Sequence, residues 1–313
     1  MREPAAPQGL EPGGAAAPDS EGVRGGTPAD APAFGGASLE ETVRKGAEDR
    51  WLASRLAPQP ERAWLVAVAA LDLEFARIPA LVSQPAAAAL RMRWWLDQLE
   101  TMLAGKPPQG HPLAHALAPP VQAGRLPVAL FGAIADARLR EFEESPFEGW
   151  PDLESYLDGV SVASLRLGAH VCWPSGPLPR GCEQAFTAAG RAYGLTQLLR
   201  QLPAWTARRR TMFPRRLMER VGLSLEEAFS PRPGHAFASA KAAMRERAMS
   251  WHKEARAGLA GLPSGVFPAI AHTALTPLYH RAMQRQGDSR AEGRVPLLSR
   301  QVRIVAAAAL GRI

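Results

Sequence analysis

The run from Glu61 to Ile78, ERAWLVAVAALDLEFARI, is apolar on nearly every side. A helix with one apolar stripe can lie on a surface, but one without a polar face has to be enclosed by other elements. Pro79 follows directly and is expected to end or kink it. The rest of the chain supplies the partners. Ser38-Leu39-Glu40-Glu41 is a capping box that opens a helix towards Leu56. Further helical runs cover about Pro85–Leu103, Pro127–Phe142, Asp152–Trp173, Arg180–Leu202, His235–Leu262, Pro268–Arg285 and Val295–Leu310, each bounded by Pro or Gly. Period-2 alternation of β-branched residues is missing, so the expected body is all-α, a helical bundle around the Glu61–Ile78 helix.

Composition separates that body from what precedes it. In residues 1–36, Gly, Ala and Pro supply 22 positions, with five acids and two arginines. Such a segment cannot bury enough apolar surface to offset its ordering entropy, so a disordered tail over 1–36 and a single domain over 37–313 are expected. Net charge is +7 for the chain, and the body alone holds 35 basic against 25 acidic residues. Phosphates, anionic lipid or other acidic partners are favoured by that balance. No strand platform of interleaved aromatics and no helix-turn-helix pattern accompanies it, so nucleic acid is not expected as a partner. The two cysteines, Cys172 and Cys182, have neither metal-ligand spacing nor a disulfide framework, which suits a reducing compartment. No apolar run follows Arg2, and nowhere do 18 apolar residues occur in succession. The expected location is cytoplasmic, at most peripheral to the inner membrane.

Several separated blocks, in order, carry a resemblance. They are VRKGAEDRWLASRLA, LEFARIPALVSQP, RMRWWLDQLE, HPLAHALA, YGLTQLLRQLPAWTARRR, PLYHRAMQR and PLLSRQVRIVAAAALGR. Together they resemble the squalene/phytoene synthase family over roughly Ser38 to Arg312, and within it a divergent branch similar to the mitochondrial complex I assembly factor of phytoene-synthase type. The resemblance implies a terpenoid-synthase-type helical bundle with a central cavity. It also implies head-to-head condensation of two prenyl diphosphates, in which Mg²⁺ held by two aspartate-rich motifs neutralises the leaving group.

Laid on this sequence, the first motif falls on Ala76, Arg77 and Ala80, and the second on Gln197, Gln201 and Trp205, with Pro203 between the last two. None of the six is acidic. Asp72 and Glu74 lie nearby but two residues apart, so they point about 200° apart around a helix and cannot form the pair. Two other acidic pairs have helical spacing, Asp97 with Glu100 and Glu154 with Asp158; both read as a solvated face or a helix cap.

Two functional readings follow from the resemblance. The first is a non-catalytic member reused as an assembly or scaffold factor, for respiratory complex I or a similar partner, with the cavity closed or holding a prenyl or other lipid and no cofactor. The alternative is an active prenyltransferase that binds diphosphate through arginines, with Mg²⁺ retained only in that case. Candidate anion-binding residues are Arg77, Arg200 and Arg208, the last two in a basic cluster with Arg209, Arg210, Arg215, Arg216 and Arg220. Arg77 has a competing role as the ion-pair partner of Glu74. The cluster has a competing role as a solvated face. His111 and His115 form a helical i,i+4 pair without a third ligand and read as structural; His272 and His280 read as core or surface residues. Trp94, Trp95, Phe131, Phe142, Tyr156 and Trp173 read as core aromatics that also suit the wall of an isoprenoid-sized cavity.

Overall fold

A computed structural model describes residues 38–145, 147–174, 176, 178, 182–285 and 293–313. The expected tail over 1–36 lies outside them. The described residues form helices α1 (Leu39–Gly46), α2 (Glu48–Ser54), α3 (Glu61–Leu81), α4 (Pro85–Leu103), α5 (Pro112–Gln122), α6 (Val128–Leu139), α7 (Trp150–Leu157) and α8 (Ala163–Cys172). The second half holds α9 (Cys182–Arg200), α10 (Leu202–Ala207), α11 (Arg215–Val221), α12 (Leu225–Phe229), α13 (His235–Gly258), α14 (Phe267–Ile270), α15 (Thr276–Arg285) and α16 (Leu297–Leu310). Among the described residues there is no strand.

α3 is enclosed as its composition requires. Leu65 through Leu71 are buried without interruption, so every side of that helix meets other side chains. Pro79 does not end it; the helix runs on to Leu81. The expected first helix is two. Ser38 caps α1 by accepting from the Glu41 amide at 3.2 Å, but the chain breaks at Ala47 (φ −141°, ψ 52°) before α2 starts. Gly46 sits against α3, where an added Cβ would lie 3.0 Å from a Leu73 methyl.

The expected helix Asp152–Trp173 is also interrupted, by a wider π-helical turn over Asp158–Val162 between α7 and α8. That turn is met by two glycines of α9. A Cβ on Gly190 would lie 2.9 Å from Val162 Cα, and one on Gly194 would lie 2.3 Å from Ser161 Oγ. Only helices without side chains at those two positions can approach so closely. The segment between α9 and α13, interrupted by prolines at 203, 214, 231 and 233, contains the three short helices α10–α12 that sequence periodicity does not predict.

Candidate functional site

A cavity of about 460 Å³ lies between α1–α2, α3, α6, α7–α8, α9, α15 and α16. Three of the six motif positions face it: Ala76 from α3, Gln197 from the last turn of α9, and Gln201, which caps α10. The other three do not. Arg77 points towards Glu74, Nη1 to Oε1 at 3.6 Å, the ion-pair role that competed with anion binding. Ala80 is exposed. Trp205 is 1% exposed, packed in the core, with the Arg208 guanidinium 5.5 Å from its ring centre.

The candidate arginines therefore separate. Arg200 lines the cavity; it donates to Gln197 Oε1 at 2.7 Å and lies 3.9 Å above the Tyr279 ring. Arg208 stands 4.0 Å from the Glu141 carboxylate and is not among the cavity-lining residues. Arg215 and Arg216 both reach Glu148 at 3.4 Å on the surface, and Arg209 packs over Phe229 at 5.2 Å. The basic cluster is thus spread over several small structural roles rather than converging on one ligand.

Most of the residues that do converge, Asp49, Arg50, Arg138, Glu141, Tyr193, Tyr279 and Arg300, carry no local signal, and Asp72 joins them without Glu74. Asp49, from α2, is buried and accepts hydrogen bonds from Tyr193 at 2.9 Å, Tyr279 at 2.7 Å and Arg300 Nη1 at 2.9 Å. Arg300 also bonds Glu48. Asp72, from α3, is bonded by Arg50, lies 3.5 Å from Arg138 Nη2 and accepts from Ser164 at 3.2 Å. Arg138 donates in turn to Glu141 at 2.8 Å, and Glu141 accepts from Tyr156 at 2.7 Å. These contacts join residues far apart in sequence, which is why only the flanking blocks, GAEDRW, PLYHR and LLSRQVR, signalled them.

Electrostatics follow from burial. Burial works against the Arg138 charge, but Glu141, Tyr156 and Asp72 outweigh it and hold the group above its ordinary value. Burial, then the Asp49 carboxylate, raises the Tyr193 hydroxyl well above the usual phenol range. His272, edge-on to Tyr193 with ring centres 4.8 Å apart, is pushed down to about 3 by burial and by Arg50, so it is neutral. Six cations line the cavity (Lys45, Arg50, Arg138, Arg200, Arg294 and Arg300) against three carboxylates (Glu48, Asp49 and Asp72). Such a surplus favours an anionic occupant.

The remaining acidic and histidine pairs fall elsewhere. Asp97 pairs with Arg93 at 2.7 Å on a solvated face, as the sequence suggests. Glu154 and Asp158 correct the reading as cap or solvated face: together they hold Arg191 of α9, at 2.8 and 2.6 Å, and Glu154 also takes Arg247 of α13 at 2.7 Å. His111 and His115 share no helical face, because His111 is the N-cap of α5 and accepts from the Leu113 amide at 3.1 Å. His272 and His280 are both buried. Among the described residues no three His, Cys, Asp or Glu side chains are grouped to hold a metal ion.

The squalene/phytoene synthase family model matches residues 43–301, from within α1 to within α16, and every residue that lines the cavity lies inside that range. The chain belongs to the squalene/phytoene synthase family. Its curated relatives include "NADH dehydrogenase (ubiquinone) complex I, assembly factor 6" from Mus musculus, 25% identical over 78% of this chain and 72% of the relative. The protein of the same name from Homo sapiens is 24% identical with the same coverage. Among solved structures, a dehydrosqualene synthase in complex with ligand superposes with a TM-score of 0.72 at 16% identity, covering 87% of this chain and 94% of that one. Squalene synthase HpnC from Alicyclobacillus acidocaldarius gives 0.67 at 19% identity, covering 80% and 92%. The terpenoid-synthase-type fold of the family is therefore the fold of this chain. No helix among the described residues is long and apolar enough to cross a membrane.

Proposed function

We propose that this member of the family is non-catalytic and serves as an assembly or scaffold factor for a respiratory NADH dehydrogenase, with a cavity that accepts a phosphate-bearing isoprenoid or lipid without a divalent cation. One observation carries the reading. Each carboxylate facing the cavity is already committed to arginine: Glu48 and Asp49 to Arg300, and Asp72 to Arg50 and Arg138. The donor set does not fit a magnesium–diphosphate site, which needs carboxylates free to bridge the metal to phosphate oxygens. Ala76, Gln197 and Gln201, facing the same cavity, supply no anionic oxygen in their place. The similarity to complex I assembly factors supports the scaffold role.

Two measurements test it. Purified protein incubated with farnesyl or geranylgeranyl diphosphate is expected to release no squalene- or phytoene-type product, with Mg²⁺ or with EDTA. Efficient turnover would overturn the non-catalytic reading, and turnover that survives EDTA would favour the arginine-based enzyme instead. Removing the protein from its source cells is expected to lower assembled NADH dehydrogenase activity. Unchanged levels of the assembled complex would sink the scaffold role.

A further inference from the structure

A second cavity, of about 640 Å³, opens between α13, α15 and α16 and shares no lining residue with the central one. Two helices build it by their spacing. Ala242, Arg245, Glu246 and Met249 of α13 recur at i, i+3, i+4 and i+7, as do Pro277, His280, Arg281 and Gln284 of α15. Each helix therefore turns one face to the gap. Arg256 continues the α13 face, and Arg303 of α16 closes the wall.

The charge on that wall is unbalanced. Arg245, Arg256, Arg281 and Arg303 stand against Glu246, the one acid lining the cavity. None of the four arginines makes an ion pair among the described residues. Arg303 is half-buried and donates to the Ala274 carbonyl at 3.0 Å; Arg245, also half-buried, keeps its Nε–H out of water without an acceptor. Burial, then Arg256 and Arg281, disfavours the charge of Arg303, so those three lie within electrostatic reach of one another. His280, pushed down to about 3 by burial and then by Arg245 and His252, is neutral and adds no charge.

The surplus selects the ligand. Four guanidiniums against one carboxylate leave three positive charges. A phosphate monoester brings at most about two negative charges at neutral pH, and a single carboxylate fewer. Two linked phosphates come closer to balancing the wall, and a cavity of this volume has room for them. Arginine suits the role because its planar fork matches phosphate oxygens bidentately.

We propose that this second cavity binds a small diphosphate-bearing anion without a divalent cation, gripped by Arg245, Arg256, Arg281 and Arg303. The site is independent of what the central cavity holds.

Calorimetric titration of the full chain with pyrophosphate in EDTA tests it. Arg200→Ala weakens the central cavity alone, so binding that remains in this variant reports the second. There pyrophosphate is expected to bind one to one, at least about tenfold tighter than inorganic phosphate. Adding Arg256→Gln and Arg281→Gln is expected to weaken that binding by at least about tenfold. Glu246→Gln, which removes the one opposing charge, is expected to tighten it about threefold, a gain that a damaged fold does not produce. Should Arg200→Ala fail to fold, the wild-type stoichiometry decides: two pyrophosphates per chain, falling to one in the Arg256→Gln, Arg281→Gln variant. ADP that binds as tightly as pyrophosphate supports the site and makes the ligand an esterified diphosphate; pyrophosphate binding alone supports it with the free ion. No pyrophosphate bound by Arg200→Ala, binding unchanged by the two glutamines, or phosphate held as tightly as pyrophosphate overturns the proposal. A single wild-type site that survives Arg256→Gln with Arg281→Gln overturns it too, and leaves the reading of the central cavity untouched.

Discussion

Tyr279 directs its hydroxyl at both carboxylate oxygens of Asp49, at 2.8 and 2.7 Å, across 230 residues of sequence. The contact ties the start of α15 to α2, and Arg300 of α16 completes it at 2.9 Å. A buried carboxylate with three donors acts as a knot between the two ends of the domain.

Removing that knot leaves the Arg300 guanidinium, 14% exposed, with only Glu48. Asp49→Ala is expected to destabilise the protein by about 3–5 kcal/mol, the usual effect of stripping one partner from a buried pair. Calorimetry should show a midpoint lower by about 10 °C. Asp49→Asn, which keeps an acceptor, should lose less.

Gly190 predicts a second loss. Its missing Cβ would meet Val162 Cα at 2.9 Å and Val162 N at 3.1 Å, backbone atoms that cannot rotate away. Gly190→Ala is expected to cost about 1–3 kcal/mol through overpacking, read as a lower urea midpoint with an unchanged slope. Gly261→Ala, with nothing within 4 Å of its added Cβ, serves as the neutral control.

Acid should unfold this protein earlier than its carboxylates alone would require. Burial depresses His272 and His280 to about 3 and His252 to about 4, with Arg50, Arg245 and the pair Arg303 and Arg256 adding to it respectively. All three stay neutral in the fold while the unfolded chain takes up their protons below about pH 6.5. Stability therefore falls as pH drops from about 6.5 to 4, by roughly 1 kcal/mol per pH unit for each histidine. Urea titrations at several pH values measure the slope. His252→Leu should remove about a third of it.

Pyrophosphate should raise the thermal midpoint of the wild type equally in EDTA and in Mg²⁺, because the cavity offers cations rather than metal ligands. Arg200→Ala is expected to reduce that protection. Protection that appears only with Mg²⁺ would contradict the metal-free cavity.

Much of the fold is readable from the sequence for a plain reason. α3, α4, α9 and α13 are long, and Pro or Gly marks the ends of the runs, so periodicity alone locates them. The π-helical turn at Asp158–Val162 is not readable, since what permits it is the bare face of Gly190 and Gly194 on another helix. The same limit governs the site. Ala76, Gln197 and Gln201 line the cavity, whereas Arg208, a candidate anion ligand from the sequence, covers Trp205 instead. Glu154 and Asp158 looked like dipole complements of a helix start until Arg191 arrived from α9. Charged pairing between distant helices has no local signature.

Trp205 sets a direction on what this chain can still become. Its indole fills a space closed to water, just after a proline that starts a new helix, at a position where the family resemblance places an acid. An aspartate substituted there would stand in a void the size of two fused rings, cut off from water. Putting an acid back at this position would therefore cost the fold before it could offer a ligand to anything.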